Sequence, residues 1–252
     1  MENKSAGSVL GTSSSAGTTA LAHRCGVATD YHAVAHPSLP NYLALTSGST
    51  HGVTDDAGPD VHRVAGPSIF SEVVTAGRGW ATYAESMPTP CARYPQGTYA
   101  TKHNPAVYYT ALYPTCLARD VPLGTTHSGP LSRALTTDAL PAFSLVVPDL
   151  CNDTHDCPVA QGDAWLSRWL DLITSSRVYA AGRTAVFITW DEDDSAHGNR
   201  VALIAVAPSI GASTTASASF THLSLLRTTE DLLGLPGTLV PGTVSMRAAF
   251  GM

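Results

Sequence analysis

The sequence has few charged residues, no surplus of positive charge and no long apolar run. Asp, Glu, Lys and Arg make up 13% of the 252 residues, and the formal net charge is -6. A protein that binds DNA or RNA mainly through phosphate contacts needs an excess of Lys and Arg, so no nucleic-acid partner is expected. No apolar run approaches the length that spans a bilayer, and residues 1–4 do not have the pattern of a signal peptide.

The sequence also lacks any Cys-x2-Cys pair, which argues against a cysteine-based zinc site. The five cysteines instead allow two disulfides. Cys151 and Cys157 lie six positions apart in an Asp-rich loop, and Cys91 and Cys116 bracket a second loop-like region. Such disulfides would indicate an oxidising compartment, with Cys25 left as a thiol. Five reduced structural cysteines are the alternative.

The residues that are present predict an α/β fold. We expect strands over residues 27–33, 79–84, 143–148, 185–190 and 201–207, and helices over 16–23, 39–46, 67–76, 163–175 and 222–233. The last two strands are continuous apolar runs, as in a mainly parallel sheet covered by helices on both faces. We expect one domain over residues 1–252, with an irregular cap or insertion at 88–138 and a loosely ordered tail after residue 235.

The stretch His36-Pro37-Ser38-Leu39-Pro40-Asn41-Tyr42 is the most informative part of the chain. A hydroxyl residue before an apolar segment, with Pro in the first turn, is typical of a helix start. The free N–H groups and the positive end of a helix favour phosphate, so Ser38 could be a nucleophile aimed at an anion. The alternative is that Ser38 is only an N-cap.

Polar clusters follow two of the expected strands, where an open α/β sheet binds its ligands. Four acids in a row begin at Asp191, and packed carboxylates repel unless a cation or a proton neutralises them. Residues 149–156 hold three carboxylates, an amide and His155. Oxygen ligands suit Mg, Ca or Mn, and a His would admit Zn. A solvated acidic turn and an Asx-rich turn are the respective alternatives.

A third polar cluster lies in the irregular region. Lys102 and His103, followed by Asn104 and Pro105, could bind a substrate phosphate or protonate a leaving oxygen. By sequence alone this segment is equally well described as a polar loop.

These segments occur in a recognisable order along the chain. The motifs are MENKS, HPSLPNY, KHNP, DLCNDTHDC, TWDEDD and HLSLLRTTED. With them the chain resembles the phosphoesterase family of acid phosphatases and phospholipase C-like enzymes, within the alkaline phosphatase superfamily. The resemblance runs from Met1 to about Leu235. It implies a secreted or cell-envelope protein that acts as a monomer.

The resemblance also implies roles for particular residues. The nucleophile would be Ser38, and the phosphate would be bound by Asn41, Lys102 and His103. His103 or His155 would protonate the leaving group. The metal ligands would be Glu2, Asn3, Ser38, Asp191 and Glu192, with Asp149 and His155 where two-metal relatives hold a second ion. His197 and Asn199 lie where relatives carry a late ligand, and His222 either approaches the pocket or packs against it.

The implied function is metal-dependent hydrolysis of phosphate monoesters through a phosphoserine intermediate. The cofactor would be a divalent ion, with Mg, Ca, Mn and Zn not distinguished, and the substrate a small phosphoester or a phospholipid. A phosphodiesterase or phospholipase C acting on lipid headgroups is one alternative, and it would differ in residues 88–138. A truncated, inactive homologue acting as a binding protein is another, because family members have an apolar strand directly before the Glu-Asn pair and this chain starts without it.

Overall fold

Three groups of strands make up the β-structure in a computed structural model that describes all 252 residues. The strands are β1 Gly26–Ala28, β2 Tyr31–His32, β3 Trp80–Ala84, β4 Asp120–Pro122, β5 Phe143–Val147, β6 Val186–Thr189, β7 Leu203–Val206, β8 Thr214–Ala216 and β9 Phe220–Thr221. They are ordered β6-β7-β1-β8, β4-β3-β5 and β2-β9. Every pair is parallel except those of β7, which runs antiparallel to β6 and β1.

Nine α-helices accompany the strands, and every expected helix is present. They are α1 Ala6–Val9, α2 Ala16–Arg24, α3 Ser38–Ser47, α4 Ile69–Thr75, α5 Tyr113–Arg119, α6 Pro130–Thr136, α7 Val159–Thr174, α8 Arg177–Ala180 and α9 His222–Leu232. The predicted α/β class with mostly parallel strands is therefore confirmed. No helix combines the length and the apolar character that crossing a membrane requires.

Helix α7 shows how the sequence directs packing. Its buried residues recur three and four positions apart, which places them on one face of a helix: Gly162, Trp165, Leu166, Trp169 and Leu170. This face joins the larger hydrophobic cluster, to which β7 contributes all four of its residues. Burial of the two Trp side chains alone stabilises the fold by several kcal/mol on the usual scale of about 25 cal/mol per Å².

The sheet is interrupted between β5 and β6. Each of these strands has a neighbour on one side only, and both line a cavity of about 890 Å³. Their apolar sequences are of the type that is buried on both faces, yet most of their residues are only half-buried.

Residues 1–3 are held at the carboxyl end of β6 despite this gap. The terminal amino group of Met1 donates to the Thr189 carbonyl oxygen at 3.2 Å, and the Asp191 N–H donates to the Met1 carbonyl oxygen at 3.0 Å. The Glu2 N–H donates to the Asp153 carbonyl oxygen at 2.7 Å. The loop after β5 and the end of β6 therefore fix the Glu-Asn pair from both sides.

Two segments are more ordered than their sequences predict. The region 88–138 contributes β4, which pairs in parallel with β3, as well as α5 and α6. The tail is not loosely packed, because Met246 and Phe250 are fully buried in the larger core cluster. Both expected disulfides, Cys91–Cys116 and Cys151–Cys157, are present, and Cys25 is free.

Candidate active site

Ser38 is the first residue of α3 and is completely buried. Its hydroxyl makes no capping hydrogen bond to the helix backbone. Ser38 Oγ instead lies 3.3 Å from Glu2 Oε2 and 3.4 Å from Glu192 Oε1, and it can donate to either. The interpretation of Ser38 as only an N-cap is therefore wrong, and its oxygen is free for chemistry.

Helix α3 is itself fixed by its two ends. It stops at Gly48, whose φ of 79° is in the left-handed region that favours glycine. A Cβ at Gly48 would lie 2.5 Å from the Leu239 carbonyl oxygen, so no other residue fits there. The helix also packs against α9.

Four residues from two distant parts of the chain surround the Ser38 hydroxyl. Asn3 Nδ2 donates to Glu192 Oε1 at 2.9 Å, and the Asn3 N–H donates to Asp191 Oδ1 at 3.2 Å. Glu2 and Asp191 face each other within hydrogen-bonding range. The Glu2 side chain has no exposed surface, and Asp191 and Glu192 are buried as well. The structure thus brings together both pairs of predicted metal ligands and the predicted nucleophile.

His103 supplies positive charge inside this cluster. Its Nε2 lies 3.1 Å from Glu2 Oε2 and its Nδ1 lies 3.3 Å from Asp153 Oδ2. Burial alone would lower the pKa of His103, but the charges of Glu2 and Asp153 outweigh burial and raise it to about 10. Tyr42 stacks on the imidazole with 5.4 Å between ring centroids, and its hydroxyl donates to Glu2 Oε1. His103 is therefore a charged counterion to Glu2 and Asp153.

The carboxylates still outnumber the positive charges around them. Burial raises the pKa of Asp191 well above its usual range, and the neighbouring Glu2 adds to this effect. Burial raises the pKa of Glu192 too, whereas in Glu2 the charge of His103 outweighs burial and lowers the pKa. Asn3 Oδ1 and Asp191 Oδ2 are buried without any hydrogen-bond partner. Uncompensated buried oxygens of this kind fit a hard divalent cation.

Sequence reasoning missed several residues of the site. His36 Nδ1 lies 2.6 Å from Glu192 Oε2, and His36 Nε2 lies 3.4 Å from Asp193 Oδ1. The sequence feature that could have identified His36 is its position two residues before Ser38. Asp153 and Tyr42 have no such feature, apart from lying in a polar loop and in the helix that follows Ser38. Asp193 is buried and accepts from the N–H groups of Ser195, His197 and Asn199, which shapes the loop after β6.

Two predicted metal-binding positions lie outside the cluster. Asp149 was expected at a second ion, but its oxygens accept hydrogen bonds from the side chains of Ser86 and Thr98 and from the N–H groups of Cys151 and Asn152. This is the Asx-type turn that was the alternative. The same loop sends Asp153, not Asp149, to the centre. His197, which was expected at a late ligand position, is more than half exposed and pairs with Asp194.

Asn41 and Asn199 both contact the loop that leads to Ser38. Asn41 Oδ1 accepts from the N–H groups of Val34 and Ala35, and its Nδ2 donates to the carbonyl oxygens of Ala35 and Pro37. Asn199 Nδ2 donates to the Ala35 carbonyl oxygen at 2.8 Å. The Asn41 amide is thus fully used by the backbone, and a contact with phosphate would require one of these bonds to break.

His222 lies next to the cluster and contacts the backbone of Asp191. Burial lowers the pKa of His222 to about 4, so its imidazole is neutral. Its Nε2 lies 2.6 Å from the Asp191 carbonyl oxygen and its Nδ1 lies 2.9 Å from the Tyr31 hydroxyl. A neutral ring in this position donates from Nε2 to Asp191 and accepts from Tyr31. His222 therefore holds the backbone of a metal-ligand candidate.

The open side of the cluster carries the remaining predicted residues. His155 is about one-third exposed, pairs with Asp156, and its ring centroid lies 6.1 Å from that of His103. Lys102 donates from Nζ to Asp56 Oδ2 at 2.9 Å. Both side chains are thus partly exposed, unlike the buried Ser38.

A family model and two similar proteins each match most of this chain. The model of the phosphoesterase family matches residues 10–236. A phosphatidylinositol-3-phosphatase from Mycobacterium tuberculosis is 34% identical over 94% of this chain and 76% of its own length. A phosphate-repressible acid phosphatase from Penicillium chrysogenum is 30% identical over 82% of this chain and 52% of its own. The chain thus spans about half the length of this fungal relative.

Solved structures share the fold at low sequence identity. A protein of the alkaline phosphatase superfamily from Vibrio parahaemolyticus is 12% identical, with a TM-score of 0.63 over 90% of this chain and 62% of its own. A lipoteichoic acid synthase from Listeria monocytogenes is 10% identical, with a TM-score of 0.63 over 98% of this chain and 72% of its own. These likenesses establish an alkaline phosphatase-like architecture.

Proposed function

The chain belongs to the phosphoesterase family, and on this premise we propose that it hydrolyses phosphate monoesters with Ser38 as the nucleophile. Family membership confirms the predicted class, a phosphoric ester hydrolase. The observation that carries the finer proposal is the uncapped Ser38 hydroxyl, buried at the amino end of α3 between Glu2 and Glu192. A helix amino end stabilises the negative charge of a phosphoryl group beside that oxygen.

The residues that would hold a divalent cation are Glu2, Asn3, Asp191 and Glu192, together with the Ser38 oxygen. All four side chains offer oxygen atoms, two of which are buried without a partner, and no cysteine lies among them. When bound, such an ion would neutralise the carboxylates and lower the pKa of the Ser38 hydroxyl. Oxygen donors alone favour Mg, Ca or Mn over Zn.

Side chains and backbone of this protein carry out the steps of the proposed reaction. The Ser38 oxygen attacks phosphorus, its proton passes to the Glu192 or Glu2 carboxylate, and the bond between phosphorus and the leaving oxygen breaks. The positive amino end of α3 stabilises the phosphoryl oxygens. His155, which is partly exposed, or the buried His103, which contacts Glu2, protonates the departing alcohol. Water then hydrolyses the phosphoserine.

The proposed substrate is a phosphomonoester on a small alcohol or on an inositol lipid. The relative from Mycobacterium tuberculosis acts, by its name, on a phosphate at an inositol ring. Lys102 and His155 are partly exposed, and we place the leaving group on their side of Ser38. Two disulfides fit an oxidising compartment, and we propose that the protein is secreted or held in the cell envelope.

A substrate panel tests this proposal. Purified protein is assayed at acidic and neutral pH with p-nitrophenyl phosphate, phosphatidylinositol 3-phosphate and phosphatidylcholine, with and without a chelator. We expect turnover of the two monoesters, loss of turnover with chelator and its return with added Mg or Mn. Turnover of phosphatidylcholine alone would instead identify a phospholipase C, and no turnover of any ester would identify a non-catalytic homologue.

A further inference from the structure

Asp56 lies in the loop after α3 and reaches back to the amino end of that helix. Asp56 Oδ1 accepts from the N–H of Leu39 at 2.9 Å, and Asp56 Oδ2 accepts from Lys102 Nζ at 2.9 Å. The Asp56 side chain is 27% exposed and that of Lys102 is 23% exposed, so this pair is mostly shielded from solvent. One carboxylate therefore joins the residue after Ser38 to the residue before His103.

The first of these bonds does the work of a helix cap. The first N–H groups of a helix have no partner within the helix, and a Ser, Thr, Asp or Asn side chain at the N-cap normally accepts from them. In α3 the residue at that position is Pro37, which has no acceptor side chain, and Ser38 makes no such bond. Asp56 supplies the acceptor from a neighbouring loop. The hydroxyl of Ser38 is consequently left to its carboxylate neighbours.

The second bond places a positive charge at the same helix end. Burial alone would lower the pKa of Lys102, but the Asp56 carboxylate outweighs burial and raises it. The ammonium group is therefore charged and held within hydrogen-bond distance of a residue that also contacts Leu39. A free Lys side chain has many rotamers, and fixing one of them in advance reduces the entropy that phosphate binding would otherwise cost.

We propose that Asp56 is a positioning residue for both Ser38 and Lys102. It caps α3 so that the Ser38 hydroxyl stays uncapped, and it holds Lys102 at the end of the helix where the phosphoryl group binds. This inference rests on the proposed function, because it assigns Lys102 to the substrate phosphate. The Asp56 side chain thus has two separate effects. As the acceptor that caps α3 it affects the reactivity of Ser38. Through its charge, which holds Lys102, it affects substrate affinity.

Three variants separate the capping of α3 by Asp56 from its effect on Lys102. Asn caps helices about as well as Asp, so Asp56→Asn keeps the acceptor for the Leu39 N–H but loses the charge that holds Lys102. Asp56→Ala loses both, and Lys102→Met loses only the cation. Asp55→Asn is the matched control, because Asp55 is the adjacent carboxylate and contacts only His62 and the Ala57 N–H.

The kinetic constants with p-nitrophenyl phosphate are the first readout. We expect Asp56→Ala to lower kcat by about 10-fold or more, while Asp56→Asn retains kcat within about 3-fold. Asp56→Asn and Lys102→Met should raise KM by a similar factor, and their combination should raise it no further, because both remove one interaction. Equal kcat in Asp56→Ala and Asp56→Asn would overturn the capping role. A lower KM in Asp56→Asn would also overturn the proposal, since it would mean that Asp56 competes with phosphate.

Hydrogen exchange of the Leu39 amide is the second readout and needs no substrate. Exchange in Asp56→Ala should be about 10-fold faster or more than in the unmodified protein, whereas Asp56→Asn and Lys102→Met should keep the protection. Unchanged protection in Asp56→Ala would disprove the cap. If the unmodified protein hydrolysed no phosphoester, the proposed function would fail, and this exchange measurement would still decide whether Asp56 caps the helix.

Discussion

Ser38 Oγ lies 3.3 Å from Glu2 Oε2, although 36 positions separate the two residues in the sequence. Neither side chain is exposed, and the Glu2 backbone is held by the loop after β5. A hydroxyl donor buried against carboxylates is a stable arrangement only if the negative charge is neutralised nearby. This pair therefore links the proposed nucleophile to the proposed ion.

Removal of the Ser38 hydroxyl should abolish turnover without unfolding the protein. Ser38→Ala deletes the attacking oxygen, and we expect kcat with p-nitrophenyl phosphate to fall by about 10³-fold or more. Ser47→Ala at the other end of α3 is the control, because its hydroxyl only contacts Leu43, Ser49 and His51. After acid quenching during turnover, mass spectrometry should detect a phosphoryl group on Ser38. A Ser38→Ala variant with near-normal kcat would exclude the residue as nucleophile.

Neutralising a carboxylate of the cluster should reduce metal retention. Asp191→Asn and Glu192→Gln keep the side-chain shapes but remove one negative charge each, so a divalent ion should bind about 10- to 100-fold more weakly. Asp194→Asn is the matched control in the same acidic run, because Asp194 is exposed and pairs with His197. Elemental analysis after dialysis gives the metal content. Equal content in Glu192→Gln and Asp194→Asn would remove the site from Glu192.

Metal binding should release protons. Burial and the charge of Glu2 raise the pKa of Asp191 well above its usual range, so this carboxyl keeps its proton to a higher pH than an exposed Asp does. A cation must displace that proton, and the affinity should therefore rise with pH. Calorimetric titration of Mn in two buffers with different ionisation enthalpies measures the number of protons released. A binding enthalpy that is independent of the buffer would contradict a protonated carboxyl at the site.

Sequence reasoning placed Ser38 and the pair Asp191 and Glu192 in the candidate site because each carries a local signal. Ser38 precedes an apolar segment with Pro in its first turn, and Asp191 follows a continuous apolar strand. The family resemblance added Glu2 and Asn3, which spacing alone would have left as a frayed terminus. The α/β class followed from the same alternation of apolar strands and helices.

The residues that were misjudged depend on side-chain orientation, which sequence does not determine. Asp149 and Asp153 lie four positions apart in one loop, and only the fold decides that Asp149 turns onto its own backbone while Asp153 meets His103. Asp56 was missed because it caps a helix from outside that helix, and no local pattern marks such a cap. Met246 and Phe250 lie in a segment without periodicity, yet they fill the core.

Stability should decrease with pH because of Asp120. This side chain has no exposed surface, and burial raises the pKa of its carboxyl from 3.8 to about 7, although the Asn104 amide, which donates to both of its oxygens, works in the opposite direction. Between pH of about 4 and 7 the folded protein keeps a proton that the unfolded chain has released. The free energy of unfolding should therefore fall across this window, by up to about 1.4 kcal/mol per pH unit.

The variant Asp120→Asn isolates this contribution, because an amide of nearly the same shape does not titrate. Urea unfolding at pH values from 4 to 8, chosen to bracket the pKa of about 7, should give a flatter dependence on pH for the variant than for the unmodified protein. The control Asp171→Asn changes an exposed carboxylate on α7 and should leave the slope as it is. The direction in which stability changes with pH distinguishes two cases. A carboxylate stabilised by a cation would make the protein more stable as pH rises. A buried protonated carboxyl makes it less stable. Parallel curves for Asp120→Asn and the unmodified protein would mean that Asp120 is ionised in the fold, and that the Asn104 amide outweighs burial.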